Sequence, residues 1–241
     1  MKKQTIILIL FLFTISISVF GAEFGVNVGF NTFRLFGDLA SETEQFRGEP
    51  YNGGGLRYIE PGLDISAMLF IDSGMRHRII FGGEYIGMNA REVMSYYQIA
   101  EWYKYHSVQI ADVYLGYHFA FLSADWQDVK LFVGPEIMLN NILSNEITYG
   151  LRAMVPSEIV SEYESNLKKD ATTRIGGRIR FGFEGCLSDN IYLTSSFNIG
   201  AYNLFMRVNS NGELFNSPGI MDTKEHIQPF FNFLIAFQYR F

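Results

Sequence analysis

The sequence predicts an all-β protein, an eight-stranded antiparallel up-and-down barrel. Three observations lead there. Eight stretches after residue 23 alternate with a period of two, the connections between them alternate short and long, and the composition is unusual. Charged residues are only 18% of the 241, against roughly 25% in an ordinary soluble domain, while aromatics reach 16% and glycines number 23. An apolar content of 48% leaves ample material for a folded state. One cysteine excludes an internal disulfide framework, and one cysteine with four scattered histidines suggests neither a metal cluster nor another cofactor site. A formal charge of -6 offers no basic footprint for nucleic acid.

The chain opens with Lys2 and Lys3, an apolar run from Thr5 to Phe20, and small residues at Gly21 and Ala22. This pattern predicts a secretory signal peptide over 1–22, removed after Gly21 or Ala22. The run is shorter than the ~20 residues of a spanning helix. The folded unit is then residues 23–241.

The eight alternating segments carry apolar residues at Phe24–Phe30, Ile59–Ile71, Ile79–Tyr85, Ala111–Phe121, Val129–Leu139, Ile175–Phe183, Ile191–Ala201 and Ile227–Phe241. Alternation of this kind marks strands with unlike faces. The apolar parity contains 46 positions and no charge. The opposite parity holds Glu60, Asp64, Glu84, Asp112, Glu136 and Glu184, with Arg78, Lys130, Arg174, Arg178, Arg180 and Arg240. Short links at 72–75, 122–128 and 185–190 alternate with long ones at 34–56, 87–106, 140–172 and 203–226. Strict alternation joins antiparallel neighbours and closes an even-stranded barrel.

The charge-free parity decides the solvent. A soluble barrel would turn it inward, leaving Phe70, Ile80, Tyr114, Phe132 and Leu234 facing water. Turned outward to lipid it explains itself, because one Arg or Lys at mid-bilayer costs about 2–4 kcal/mol. The inward parity then mixes large side chains with Gly25, Gly62, Gly82, Gly116 and Gly182, as a narrow filled lumen requires. Phe24, Tyr117, Phe119, Phe181, Phe183, Tyr239 and Phe241 gather near the short links, where an interfacial girdle belongs. Pro61, Pro135 and Pro229 each remove a ladder donor and predict local bulges.

The last strand ends Phe233, Ile235, Phe237, Tyr239 and Phe241 on one face. It resembles the C-terminal signature of bacterial outer-membrane barrels, and the chain as a whole is similar to the small OmpA-barrel, OmpX and OmpW-like proteins. The resemblance implies a transmembrane barrel in the outer membrane, with short periplasmic turns and long extracellular loops. It implies outer-membrane lipids, periplasmic chaperones and the barrel-assembly machinery as partners, with Phe241 as the recognition residue for assembly.

Six acidic and six basic lumen residues balance, which predicts a salt-bridge network plugging the barrel. The alternative is a narrow pore, with Arg174, Arg178 and Arg180 as an anion-favouring stripe, or an apolar passage past Ile80, Ile86, Val108 and Ile110. Two loop helices are expected. One starts at the capping-box-like Asn89–Glu92 and carries Val93, Tyr97, Ala100 and Lys104 at helical spacing. The other spans 157–169 with Ile159, Tyr163 and Leu167 on one face. Ile147, Tyr149, Leu151, Ala153 and Val155 alternate and predict a strand protruding above the membrane, or a ten-strand barrel if it has a partner. Tyr96, Tyr97, Trp102, Tyr103 and Tyr105 suit interface anchoring or an unidentified surface ligand. His77, His106 beside Ser107, His118 and His226 are the only histidines, and parity places no acid with the two near the outer rim. Catalysis needs a base oriented by a third group, so no enzymatic activity is expected. Cys186 reads as a solitary thiol in a short turn. The expected role is a structural or surface-interaction barrel with a mostly plugged lumen.

Overall fold

A computed structural model describes residues 23–37, 39–40, 44–45, 50–51, 54–96, 99–124, 128–155, 158–206 and 227–241. Residues 1–22, Tyr97 and His226 therefore lie outside the described residues. Among the described residues eleven strands follow in chain order: β1 (Phe24–Leu35), β2 (Glu44–Gln45), β3 (Pro50–Tyr51), β4 (Glu60–Phe70), β5 (His77–Tyr96), β6 (Ala100–Ala124), β7 (Val129–Val155), β8 (Glu158–Lys169), β9 (Thr172–Ser188), β10 (Ile191–Phe205) and β11 (Gln228–Arg240). Eight of them form a closed antiparallel ring in the order β1-β4-β5-β6-β7-β9-β10-β11, with β11 returning to β1.

The register fixes the shape of the ring. Starting at Arg240, the partners run Gly25, Met68, Ile80, Gly116, Glu136, Arg178, Gly200 and back to β11 at Phe230. One circuit thus advances ten residues (240 minus 230). Eight strands with that stagger tilt by about 40° and leave an interior wide enough only for side chains.

The two parities take the faces that a lipid solvent demands. Phe30, Ile65, Phe81, Ile137, Ile199 and Phe237 point outward at 72%, 60%, 58%, 57%, 56% and 61% exposure. Soluble monomers rarely expose continuous apolar patches beyond a few hundred Å²; this one encircles the molecule. Its short-turn end carries the aromatic girdle, where Phe241 packs on Phe24 at 5.9 Å and on Tyr239 at 4.9 Å. The first short turn is held by Asp72, whose carboxylate accepts from the backbone N–H of His77 at 2.7 Å and of Arg76 at 3.2 Å.

Three expectations need correction. Neither loop helix forms. Residues 89–96 and 100–104 continue β5 and β6, and 158–169 is strand β8. Second, the protruding strand has a partner, yet the barrel stays eight-stranded. Within β7, Lys130–Ile142 pairs with β9 and Asn145–Val155 pairs with β8, so β8 joins only above the ring. Together with the outer halves of β5 and β6 it makes a four-stranded platform on one side of the barrel mouth. Third, the prolines do not mark bulges. Pro61, Pro135 and Pro229 lie opposite Thr32, Ile179 and Ala201 in unbroken register. Pro61 and Pro229 sit near strand ends, where a lost donor costs little. At Pro135 the β6–β7 pairing lapses between Gly116↔Glu136 and Phe119↔Val133, but the register resumes unchanged.

The outward face thus has two solvents, and a charge reports which one applies. Ile137→Arg in the belt is expected to destabilise the barrel by about 2–4 kcal/mol. Val93→Arg, on the outward face of the platform, should stay within about 0.5 kcal/mol. Equilibrium unfolding in lipid vesicles measures both, and equal costs would remove the boundary.

Candidate functional site

The interior is built by alternate residues of the eight ring strands, and it separates into layers along the barrel axis. The middle layer centres on Glu136 of β7. Its carboxylate accepts from Arg178 Nε at 2.5 Å, from His118 Nε2 at 2.9 Å and from Arg180 Nη2 at 3.3 Å, with Arg180 Nε paired ionically at 2.7 Å. Arg178 reaches across to Glu84 at 2.6 Å, and Glu84 also accepts from Asn232 Nδ2 at 2.9 Å. Asp64 accepts from the Tyr114 hydroxyl at 2.7 Å, with Arg180 3.9 Å away. Chain segments from β4, β5, β7, β9 and β11 are therefore tied together through the middle of the barrel. Glu84, Glu136, Arg178 and Arg180 are all at most 4% exposed.

A lower layer lies at the short-turn end. Glu184 pairs with Arg78 and, at 2.7 Å, with Arg240. The Arg240 guanidinium lies over the Tyr192 ring at 3.5 Å and the Phe70 ring at 4.7 Å, and Arg78 lies over Phe132 at 3.9 Å. Lys130 pairs with Asp128 at 3.0 Å. Arginine suits these positions because its planar cation stacks on aromatics while its fork binds carboxylates.

Three further inward charges complete the twelve, with Asp112 directly opposite Glu84. Asp112 accepts from Asn140 at 2.8 Å and from the Tyr202 hydroxyl at 2.7 Å. Arg174 donates to the Thr172 hydroxyl and to Thr173 O at 2.9 Å. Glu60 is only half-buried at the rim, its carboxylate 3.4 Å from the backbone N–H of Asn89. Arg174, Arg178 and Arg180 therefore do not present a bare positive stripe, since two of the three face carboxylates. Sequence reasoning placed Tyr114 on the inward face but did not foresee it beside Asp64, nor Asn232 as the link to Glu84.

Above these layers the interior turns apolar. Phe33, Leu35, Tyr202, Phe230, Ile86, Ile110 and Met88 are each at most 2% exposed. Ile86, Ile110 and Val108 thus sit in packed core rather than along an open passage. Leu39 and Leu56, from the first long connection, seal this deck against the inward face of the platform. Leu56 N donates to Leu39 O at 2.8 Å, and His106 bonds Gly54 O at 2.7 Å and Asn145 at 2.8 Å. Burial holds the His106 imidazole below its ordinary range. Ser107 is on the opposite face of β6, so the two do not form a catalytic pair. His77 contacts the Tyr117 hydroxyl at the far end, and the Cys186 thiol donates to Ser188 O at 3.2 Å.

The platform's outward face is laced with charge. Glu101 of β6, Arg152 of β7 and Glu162 of β8 form a ladder with contacts of 3.7 and 2.6 Å, and Lys168 meets Glu146 at 2.5 Å. Tyr103, which is buried, donates to Glu162 and Glu164 at 2.9 Å each. Trp102 faces inward, and the side chain of Tyr96 lies outside the described residues.

Removing one partner of a buried ionic network leaves the others uncompensated. Glu136→Ala is expected to destabilise the barrel by about 3–5 kcal/mol, whereas replacing Glu136 and Arg178 together should cost less than the two single losses combined. Urea unfolding in detergent micelles measures the cycle; additive losses would show that the network does not couple.

No family model matches the chain, and no curated protein matches it in sequence. Solved structures do match. Neisserial surface protein A is 13% identical with a TM-score of 0.45, over 90% of this chain and 97% of its own. Ail, the attachment invasion locus protein of Yersinia pestis, is 10% identical with a TM-score of 0.35, over 91% and 99%. Outer membrane protein OprG from Pseudomonas aeruginosa is 9% identical with a TM-score of 0.39, over 91% and 96%.

Proposed function

We propose that the chain is an integral barrel of a bacterial outer membrane, closed through its lumen at rest, which holds a β-platform outside the cell as an interaction surface. The observation that carries this reading is the charge-free exposed belt around a closed ring, bordered at one end only by charged strands. Lipid satisfies the belt, and water satisfies the platform's outer face. Residues 1–22 act as the export leader. Outer-membrane lipids are the permanent partners, and an unidentified ligand meets the platform and the other long connections.

The twelve inward charges stabilise the barrel rather than select ions: the middle cluster sets three carboxylates against Arg178 and Arg180, the lower one sets Glu184 and Asp128 against Arg78, Arg240 and Lys130, and the two together balance. On this reading the Phe233–Phe241 stripe is also the signal for chaperones and the barrel-assembly machinery. Phe241 is 72% exposed and is held only by backbone pairing to Phe24 O at 2.9 Å and by neighbouring rings. Little of its contact serves the folded core, which leaves its side chain available for recognition.

Orientation is tested with thiols. Native Cys186, at the short-turn end, should resist a bulky polymer-linked maleimide on intact cells and react once the outer membrane is permeabilised. Asn166→Cys in a Cys186→Ser background should react on intact cells. The reverse pattern would overturn the topology. Deleting Phe241 should lower the membrane-assembled fraction several-fold while leaving refolding in vitro nearly unchanged; wild-type yield in cells would remove its assigned role.

A further inference from the structure

The walls of the interior are chemically unlike. The ionic layers draw mainly on β4, β5, β7 and β9, whereas β10, β11 and β1 contribute neutral amides and hydroxyls above Arg240, their one inward charge among the described residues. Six of these are Asn27, Asn31, Thr194, Ser196, Asn198 and Gln238, each at most 3% exposed. Each has at least one side-chain polar atom with no hydrogen-bond partner among the described residues, including both atoms of the Asn31 amide, Thr194 Oγ1, Ser196 Oγ and Gln238 Nε2. A buried amide or hydroxyl without a partner is costly, and a bridging water with two or more polar neighbours would supply one.

The register arranges these groups as a continuous climb. Gln238 lies opposite Asn27, Thr194 opposite Ala236, Ser196 and Asn31 both opposite Leu234, and Asn198 opposite Asn232. Successive groups on β10 are roughly 7 Å apart, a gap that one or two waters bridge, while Asn27 and Asn31 on β1 lie about twice as far apart, with the β10 groups and Gln238 spanning the interval. The lower end meets the ionic layer, where Arg240 donates to Gln238 Oε1 at 3.3 Å. The upper end meets three rings on the same three strands. Phe33 lies 5.1 Å from Phe230 and 5.6 Å from Tyr202, and Tyr202 lies 4.6 Å from Phe230. All three are at most 1% exposed.

We propose that the β10–β11–β1 wall carries a file of water and serves as a conduit for small uncharged polar molecules, shut at its outer end by Phe33, Tyr202 and Phe230. An apolar constriction closes such a path by excluding water. Between Arg240 at its lower end, which is paired to Glu184, and the aromatic deck above, the wall has no charge to hold an ion, while the facing carboxylates and arginines neutralise one another. The conduit goes beyond the resting scaffold described above and rests only on its insertion in a membrane.

The test places a thiol in the middle of the wall, as Ser196→Cys in a Cys186→Ser background. Methyl methanethiosulfonate, small and uncharged, is applied to protein refolded into lipid vesicles. Opening the deck with Phe230→Ala should raise the modification rate about tenfold or more, and Phe33→Ala, on the adjacent strand β1, should do the same. The charged trimethylammonium analogue should gain much less. Adding Asn198→Leu, which dries the wall, should reverse the gain. An unchanged rate in both deck variants, equal gains for both reagents, or a gain that survives Asn198→Leu would overturn the conduit. Heat-modifiable migration and the Asn166→Cys labelling report insertion separately, so loss of the barrel is distinguished from loss of the path.

Discussion

In a hydrocarbon solvent every backbone N–H and C=O must find its partner within the protein, and each failure costs several kcal/mol. The rest of this structure follows from that constraint. It forbids an open edge, so the sheet must close, and closure is completed by the long ladder between β6 and β7. The same ladder runs from Ala124↔Val129 at the short-turn end to Ala100↔Ala153 high in the platform. One seam therefore seals the barrel and carries its extension. Above the lipid the constraint lapses, and β8 can end the sheet as a free edge in water, decorated with Glu162, Glu164 and Lys168 as edge strands usually are.

Closure with eight strands then dictates the interior. The lumen has too little room for large side chains at every level, so bulk on one strand requires its absence on the next. A Cβ on Gly82 would lie 2.5 Å from the Tyr114 ring, and one on Gly182 would lie 2.4 Å from Phe132. Those two rings are the ones on which Arg178 and Arg78 stack, at 4.4 and 3.9 Å. Glycine on one strand thus positions an aromatic on its neighbour, and the aromatic positions a guanidinium in the ionic layers. The glycine excess and the charge pattern are two views of one packing problem.

This coupling sets what the sequence could disclose. Strand parity, the two faces and the eight-strand ring were legible because each depends on local alternation and on a lipid solvent that tolerates no charge. The platform was not. Ile159, Tyr163 and Leu167 are spaced by four, and a spacing of four lies on one face of a helix and of a strand alike. What decides between them is non-local: Glu92 against Lys104 at 2.6 Å, and the ladder Glu101–Arg152–Glu162 across three strands. The bulge at Leu143 was equally hidden. Ile110 pairs with Ile142 but Gln109 pairs with Ser144, so the inward parity of β7 changes from even to odd at that point. Odd residues such as Ile137 and Leu139 face lipid below the bulge, while Ile147 and Tyr149 face inward above it.

That change of parity explains how one strand serves two solvents. Without the extra residue, the apolar Ile147 and Tyr149 would continue outward into water, and Glu146, Thr148 and Arg152 would turn inward. With it, Ile147 is 2% exposed, facing the side on which Leu39 and Leu56 close the mouth, and Arg152 is free to bridge β6 and β8. A bulge costs one ladder pairing but reverses every side chain beyond it. Its position is therefore physical, just above the Asn141 and Thr173 pair where the outward face first becomes polar. The charge deficit of the sequence ends at the same level, because above Leu143 the outward face meets water and can carry charge again.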